Sequence, residues 1–291
     1  MKIGFIGCGK MGGALARAAA KSQPADGEAF EIYLCDRNAE AAAALAQEIN
    51  AQAAACETAA TKSIAAQAIS IEKLALECGY IFLGVKPQGM ADMLLQISDI
   101  LANRQAAGED FILVTMAAGL KTSDINKLAG GTYKFIRIMP NLPVSVGEGM
   151  IIYALSGIEY GSDAEEIFTN ILEPAGALLY CADEAFIDPG MAISGCGPAF
   201  VAMLLEGFIK GGERCGLSTD DAKVLAMQTI IGTATLLEET DQPPMDLCRD
   251  VCSPGGTTIE GVKVLEDAGF ISSLADAVEA AYRKAERMRG Q

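Results

Sequence analysis

The chain has 291 residues, of which 51% are hydrophobic, and its formal net charge at pH 7 is −16. That length allows two domains, and the acidic balance argues against nucleic acids and anionic membranes as partners. The sequence contains no histidine, which excludes serine–histidine–aspartate and cysteine–histidine catalysis and any histidine general base. None of the nine cysteines has the C-x-x-C spacing of zinc or redox sites, so we predict no metal site and reduced thiols in a cytoplasm.

The N-terminal segment predicts a strand, a glycine turn and a helix in that order. Residues 2–7 are an apolar run, and the glycines with Lys10 and Arg17 distinguish it from a signal peptide. The turn has the spacing Gly7-x-Gly9-x-x-Gly12, which allows a tight turn, a close approach to a pyrophosphate and close packing of helix on strand. A purely structural turn is the alternative. We predict a dinucleotide site formed by Ile6, Gly7, Cys8, Gly9, Lys10, Met11 and Gly12.

Strand and helix patterns alternate over the first half of the chain. Short β-type runs occur at 30–35, 80–85, 111–116, 134–139, 150–154 and 177–181, with helical runs at 39–49 and 162–172. This alternation predicts a Rossmann-type, doubly wound parallel sheet. The alanine-rich segment 50–79 predicts at least one helix and a short strand near 53–56.

The second half of the chain has few strand patterns after Asp188. Helical patterns follow at 198–214, 219–239, 257–268 and 271–289, which predicts an all-α second domain. We place the boundary between about 160 and 190, and take residue 160/161 as the division. The fold class is therefore α/β, with a dinucleotide-binding domain at 1–160 and a helical domain at 161–291. No run of eighteen apolar residues occurs, so no membrane span is predicted.

Two charged residues follow the second predicted strand and bear on the choice of cofactor. A carboxylate at Asp36 would accept hydrogen bonds from the ribose 2′-hydroxyl of NAD(H) and repel the 2′-phosphate of NADP(H). Arg37 favours the opposite preference because it can pair with that phosphate, unless it is a solvated charge at a helix start. The sequence leaves NADPH and NADH open.

Three further predicted strands end in residues suited to a cofactor crevice, because ligands bind at the carboxyl edge of such sheets. Val85-Lys86-Pro87 stops one strand, and Lys86 is either a contact to the cofactor or a surface lysine. Met116-Ala117-Ala118-Gly119 ends the next with small residues, which let a flat nicotinamide approach the backbone. The predicted cofactor contacts at these strand ends are Val85, Lys86, Pro87, Ala117, Ala118 and Asn141.

Two glycine turns in the helical region each precede a helix. Ser194-Gly195-Cys196-Gly197-Pro198 is either a hinge or a substrate contact. Cys252-Ser253-Pro254-Gly255-Gly256-Thr257-Thr258 predicts a tight loop at a helix N-terminus, whose free N–H groups and dipole suit a carboxylate; a capped helix is the alternative. Cys196 and Cys252 have no histidine to activate them, so we expect small buried side chains rather than nucleophiles.

Over nearly its whole length the chain resembles the Δ1-pyrroline-5-carboxylate reductase family. The resemblance rests on the segments 5–12, 85–88, 137–141 and 194–199, and above all on 250–258. It implies NAD(P)H-dependent reduction of the C=N bond of 1-pyrroline-5-carboxylate to L-proline, the last step of proline biosynthesis. It also implies a helical domain that interlocks two subunits, as a homodimer or a larger ring such as a decamer. Asp36 departs from the serine or asparagine, and Cys196 from the serine, that are more usual in the family.

The resemblance implies substrate binding by Ser253, Gly256, Thr257 and Thr258, with Thr258 hydrogen-bonding the ring nitrogen as the catalytic residue. A protonated cyclic imine accepts hydride without a strong base, which fits a chain without histidine. We further hypothesise that each site is completed across the dimer. Two rival functions stay open. One is a β-hydroxyacid or 6-phosphogluconate-type dehydrogenase, although the first long helix of the second domain offers only a late Lys210; the other is a cofactor-binding regulatory or scaffold protein.

Overall fold

The computed structural model describes residues 1–22, 30–56 and 65–289. They form two compact units. Unit 1 comprises Met1–Gly195 together with the C-terminal segment Tyr282–Gln291, and unit 2 comprises Cys196–Ala281. Unit 1 is built on a β-sheet with helices on both faces, whereas unit 2 is helical.

An eight-stranded sheet forms the centre of unit 1. Its strands are β1 (Lys2–Ile6), β2 (Glu31–Cys35), β3 (Ala66–Ala68), β4 (Tyr80–Leu83), β5 (Ile112–Thr115), β6 (Phe135–Pro140), β7 (Gly149–Ser156) and β8 (Gly176–Tyr180). They lie in the order β3-β2-β1-β4-β5-β6-β7-β8. Neighbouring strands pair in parallel except β6 and β7, which are antiparallel.

The central strands read as continuous apolar runs because both faces of the sheet are covered. Phe5 of β1 is in register with Phe82 of β4, and their rings stack with centroids 4.5 Å apart. At the carboxyl ends of the same two strands the N–H of Gly84 donates to the carbonyl oxygen of Ile6 at 2.7 Å. This register brings the glycine turn after β1 and the turn after β4 to one edge of the sheet.

Helices cover both faces of the sheet, and their ends follow from local sequence. They are α1 (Lys10–Ala19), α2 (Ala39–Cys56), α3 (Ile71–Glu77), α4 (Pro87–Ala106), α5 (Thr122–Ala129), α6 (Asp163–Leu172) and α7 (Ile187–Ser194), with 3-10 turns at Leu142–Val146, Glu173–Ala175 and Glu184–Phe186. Pro87 takes the first position of α4, where no N–H is needed, and left-handed Gly130 ends α5. One core includes residues of α1, α2 and α6, and the other includes residues of α3, α4 and α5.

The strand predicted near 53–56 is wrong. The alanine-rich sequence continues α2 through Cys56, since alanine is the best helix former, and the short strand β3 comes later. The side chain of Asn50 fixes β3 by donating to the carbonyl oxygen of Ala66 at 2.9 Å and accepting from its N–H at 2.8 Å. The helix predicted within 50–79 is confirmed as α3, and the other predicted strands are confirmed as β1, β2 and β4–β8.

The predicted division at residue 160/161 falls between β7 and α6, inside unit 1. Beyond it the chain still contributes β8 to the sheet, paired in parallel with β7. As a division of function this boundary stays a prediction.

The helices of unit 2 carry much exposed apolar surface. They are α8 (Gly197–Arg214), α9 (Thr219–Thr240), α10 (Pro244–Asp250), α11 (Thr257–Asp267) and α12 (Phe270–Arg289), of which α12 continues past Ala281. Met203 of α8 and Val224 of α9 are among the exposed side chains, and extended apolar patches of this kind mark association surfaces. By length and composition alone the helical run Glu184–Arg214 is apolar enough to cross a membrane. One such run is weak evidence for a membrane span, because the core helix of a soluble protein passes the same test of length and composition.

Candidate cofactor and substrate sites

Three glycines meet around the turn between β1 and α1, and each lies where a Cβ would come within 3.0 Å of backbone. Gly7 has a φ of +100°, and a Cβ there would lie 2.7 Å from the carbonyl oxygen of Gly84. A Cβ on Gly12 would overlap the carbonyl oxygen of Gly7, and one on Gly84 would lie 2.9 Å from the same atom. The turn after β1, the first turn of α1 and the end of β4 therefore touch backbone to backbone, as the motif predicts.

The remaining glycine of the motif faces open space. A Cβ on Gly9 would meet no atom within 4 Å, and Gly9 is the N-cap of α1 without a side-chain capping bond. The first N–H groups of α1 and its dipole thus face a region that a pyrophosphate can enter. Lys10 at the helix start is exposed, and a cleft of about 720 Å³ runs from Gly9 and Lys10 along α1 toward Glu48 and Ser145, away from Asp36.

Asp36 follows β2 and holds the glycine turn in place. One carboxylate oxygen accepts from the backbone N–H of Cys8 at 2.7 Å, and the other accepts from the N–H of Asn38 at 2.9 Å. A carboxylate can accept about four hydrogen bonds, so Asp36 keeps capacity for a ribose hydroxyl. Arg37 beside it is exposed.

Cys8 is an inert member of the glycine turn. Burial, together with the negative charge of Asp36, raises the pKa of the Cys8 thiol to about 12. The thiol therefore stays neutral at physiological pH, and a neutral thiol is a poor nucleophile.

The ends of β4 and β5 present the predicted small and basic residues at the edge of the sheet. Val85 and Pro87 are partly exposed, and Lys86 between them is exposed at the N-cap of α4. After β5, Ala117 is buried and its N–H donates to Thr115 Oγ1 at 3.3 Å, whereas Ala118 is exposed. Ala118 and Lys86 are thus the accessible members of the two strand ends.

Asn141 after β6 is engaged with the protein's own backbone. It is 9% exposed, its Oδ1 accepts from the N–H of Met150 at 2.9 Å, and its Nδ2 donates to the carbonyl oxygen of Ser194 at 3.0 Å. These contacts join the end of β6 to β7 and to the last residue of α7. One amide hydrogen is left over from these bonds, so the predicted cofactor contact stays a prediction, and bracing the strand end is the observed role.

The loop between α10 and α11 in unit 2 has the conformation that the sequence predicts. Gly255 has a φ of +71°, and a Cβ on Gly256 would overlap Ser253 Oγ. Gly256 is the N-cap of α11 without a side-chain capping bond. Ser253, Thr257 and Thr258 are exposed, so their hydroxyls and the first N–H groups of α11 form a concentrated set of donors for an anion.

Cys196 and Cys252, which we expected to be buried, are both partly exposed. They lie beside glycine turns, where the backbone leaves side chains near the surface. Burial raises the pKa of the Cys252 thiol, and Cys248 and Glu266 raise it further. A raised pKa disfavours the thiolate that a nucleophile requires.

Sequence reasoning missed a buried ionic cluster close to the predicted crevice. Arg137 in the middle of β6 is 1% exposed and pairs with Glu184 and Asp188. The signal available was a single arginine inside an otherwise apolar strand run, since an arginine is almost never fully buried unless it is paired. Its partners come from distant parts of the chain, so spacing alone does not reveal them.

Unit 1 combines a parallel sheet, a glycine turn at a helix N-terminus and an acidic residue after the second strand. Unit 2 is a helical unit with a glycine loop at the N-terminus of α11 and exposed apolar side chains. Together these features define the class of nicotinamide-dependent oxidoreductases that pair a Rossmann domain with a helical domain.

Comparison with known proteins narrows this class. The family described as pyrroline-5-carboxylate reductase dimerisation matches residues 184–288, and the family described as NADP oxidoreductase, coenzyme F420-dependent, matches residues 2–118. A pyrroline-5-carboxylate reductase from Pisum sativum is 32% identical over 98% of this chain and 95% of its own length.

Solved structures give the same result. A pyrroline-5-carboxylate reductase from Coxiella burnetii superposes with a TM-score of 0.82 at 25% identity, covering 98% of this chain and 97% of that one. A Plasmodium falciparum pyrroline carboxylate reductase with NADP bound has a TM-score of 0.77 at 29% identity, covering 99% and 98%. The chain belongs to the pyrroline-5-carboxylate reductase family.

Proposed function

We propose that this protein reduces 1-pyrroline-5-carboxylate to L-proline with NADPH or NADH, the last step of proline biosynthesis. The observation that carries the proposal is the match to pyrroline-5-carboxylate reductases over 98% of the chain. It spans both the glycine turn after β1 and the loop before α11, so the two parts that the reaction needs are present. The dehydrogenase rival leaves the loop before α11 without a role.

The residues of unit 1 fit a dinucleotide. The open space above Gly9 and the uncapped N-terminus of α1 would take the pyrophosphate, while Asp36 and Arg37 would face the ribose. Val85, Lys86, Pro87, Ala117 and Ala118 would line the edge toward the nicotinamide. When bound, the cofactor supplies the hydride; the protein's task is to place it and to exclude water.

The loop before α11 would hold the substrate. In this proposal the backbone N–H groups around Gly256, Thr257 and Thr258 bind the carboxylate, with help from the Ser253 hydroxyl. The Thr258 hydroxyl hydrogen-bonds the ring nitrogen and orients the ring. No strong base is needed because the protonated imine is already electrophilic, so catalysis depends mainly on positioning.

The chain self-associates through its helical region and acts on a small molecule, as the matched dimerisation family supports. A larger ring such as a decamer, completion of each site across the dimer, the absence of nucleic-acid and membrane partners, and a cytoplasmic location belong to the proposal. The exposed side chains of α8 and α9 support burial in a partner.

Asp36→Ser is expected to raise the NADPH to NADH ratio of kcat/KM at least tenfold, because the substitution removes a like charge from beside the 2′-phosphate and about 1.4 kcal/mol is a factor of ten. Paired assays with the two cofactors measure the ratio. Asp36 also holds the N–H of Cys8, so Asp36→Asn is the matched control that removes the charge but keeps an acceptor. If the ratio does not move in either variant, Asp36 does not face the ribose.

The function itself is tested with purified protein, 1-pyrroline-5-carboxylate and either cofactor, by following the nicotinamide absorbance band and the appearance of proline. Loss of the band with matching formation of proline is the expected result. Cofactor binding without turnover would instead favour the regulatory or scaffold protein. Turnover of β-hydroxyacids alone would favour the dehydrogenase rival.

A further inference from the structure

One arginine in unit 1 is buried among acids at the carboxyl half of the sheet. The Nη1 of Arg137 lies 3.1 Å from Glu184 Oε1, and its Nη2 lies 3.2 Å from Asp188 Oδ1. Arg137 is 1% exposed and Asp188 is 3% exposed. Removing these charges from water costs free energy that their pairing only partly repays, although removing one partner would destabilise the fold. Stability alone therefore does not explain why the cluster is present.

The cluster reaches the loop that follows β5. Glu184 accepts two further hydrogen bonds at 3.0 Å, from the backbone N–H and from Oγ1 of Thr122. Thr122 is the first residue of α5, so Glu184 satisfies free donors at the positive end of that helix. The loop between β5 and α5, which contains Ala117 and Ala118, is thereby fixed at its far end.

The same cluster fixes α7 at one end while Asn141 fixes it at the other. Asp188 near the start of α7 bonds Arg137, and Ser194 at its end accepts from Asn141 Nδ2 at 3.0 Å. Arg137 and Asn141 both belong to β6 and the turn after it. Helix α7 is therefore held along the carboxyl half of β6, and the turn Ser194-Gly195-Cys196 follows directly from it.

We propose that Arg137 is a positioning residue for hydride transfer, which rests on the proposed reductase function. Through Glu184 it sets the loop after β5, where the nicotinamide is expected to lie, and through Asp188 it sets α7 and the turn that follows. Arg137 does not contact the glycine turn after β1. The cofactor affinity contributed by that turn is thus separable from the rate of the chemical step, which depends on placement within about 1 Å.

The test replaces the planar, forked guanidinium by a compact ammonium group of the same charge. Arg137→Lys keeps the positive charge but cannot bond both acids in the same geometry. We expect kcat to fall about 10- to 100-fold, while the Kd for NADPH, measured by its fluorescence, stays within about twofold. Glu184→Gln, which keeps the hydrogen bonds available to Thr122, is expected to lose less.

A second buried arginine provides the matched control. Arg104 is 6% exposed and bonds Glu109 and the carbonyl oxygens of Ala75 and Cys78, at the opposite edge of the sheet. Arg104→Lys is expected to lower the melting temperature about as much as Arg137→Lys does. Its kcat per folded molecule is expected to be unchanged. Equal kcat losses in the two variants at equal stability would contradict the proposal.

Thr122→Val keeps the test decisive if Arg137→Lys does not fold. It removes one hydrogen bond of the cluster and leaves the arginine paired, and kcat is expected to fall threefold or more, about the loss of one weak bond. The proposal is overturned if folded Thr122→Val has the wild-type kcat while Arg137→Lys is unfolded. It is also overturned if both variants fold and both have the wild-type kcat. A wild-type protein without reductase activity contradicts the proposed function instead, so the two failures are distinguishable.

Discussion

Thr258→Val is expected to lower kcat/KM for 1-pyrroline-5-carboxylate by roughly 10- to 1000-fold while leaving the affinity for NADPH unchanged. Valine has nearly the shape of threonine but no hydroxyl, so the variant removes one positioned hydrogen bond, worth about 1.5–4 kcal/mol in the transition state. Steady-state kinetics of the purified protein measure the ratio. Cofactor affinity is unaffected because the glycine turn after β1 is unchanged.

The size of this effect follows from the loop before α11. Gly255 has a left-handed φ of +71°, a Cβ on Gly256 would lie 3.1 Å from the carbonyl oxygen of Ser253, and the exposed Thr258 lies in the first turn of α11. The backbone N–H groups of the same turn would hold the carboxylate, so the hydroxyl is fixed relative to the ring. A fixed donor contributes more to the rate than a mobile one because its entropy is already lost.

Two variants control this prediction. Thr258→Ser retains the hydroxyl and is expected to stay within about tenfold of wild-type kcat/KM, since only a methyl contact is lost. Thr257→Val removes the neighbouring hydroxyl but keeps the backbone N–H, and is expected to lose less than Thr258→Val. A folded Thr258→Val with unchanged kinetics would remove Thr258 from the mechanism.

The sequence predicted those parts of the molecule that depend on local pattern. The glycine motif, Gly7, Gly9 and Gly12, follows a buried strand and opens a helix. In the structure a side chain at Gly7 or Gly12 would collide with backbone, whereas Gly9 faces open space. The loop at Ser253–Thr258 was predicted on the same basis. Strand runs such as that of β4 were recognisable because a fully buried parallel strand has no polar face.

What the sequence did not predict depends on contacts between distant segments. Nothing in the spacing of Arg137, Glu184 and Thr122 shows that they meet, because their contact is made by the sheet order. Asp36 was predicted to face a ribose, but its bond to the N–H of Cys8 appears only once β1 and β2 are paired. The strand near 53–56 failed for a related reason: alanine favours helix, and β3 is short and held by Asn50.

Gly12→Ala is expected to weaken NADPH binding about 100-fold or more and to lower the melting temperature by about 2–12 °C. The added Cβ would overlap the carbonyl oxygen of Gly7, so α1 must move away from the turn after β1. Overpacking of this kind costs about 1–3 kcal/mol, and losing one or two hydrogen bonds to the charged pyrophosphate, worth about 1.5–3 kcal/mol each, weakens binding about 100-fold or more. Fluorescence titration and thermal unfolding measure the two effects.

Variants of two other glycines separate the effect of overpacking from the effect of filling the space proposed for the pyrophosphate. Gly9→Ala places its Cβ in open space and has an ordinary φ of −68°, so the melting temperature should be unchanged while NADPH binding still weakens, because the methyl enters the space proposed for the pyrophosphate. Gly79→Ala, at the opposite edge of the sheet with no neighbour closer than 4.0 Å, should change neither quantity. If Gly12→Ala binds NADPH as the wild type does, close contact between α1 and the turn is not what builds the pyrophosphate site. If Gly9→Ala binds normally while Gly12→Ala does not, the pyrophosphate lies elsewhere along the first turn of α1.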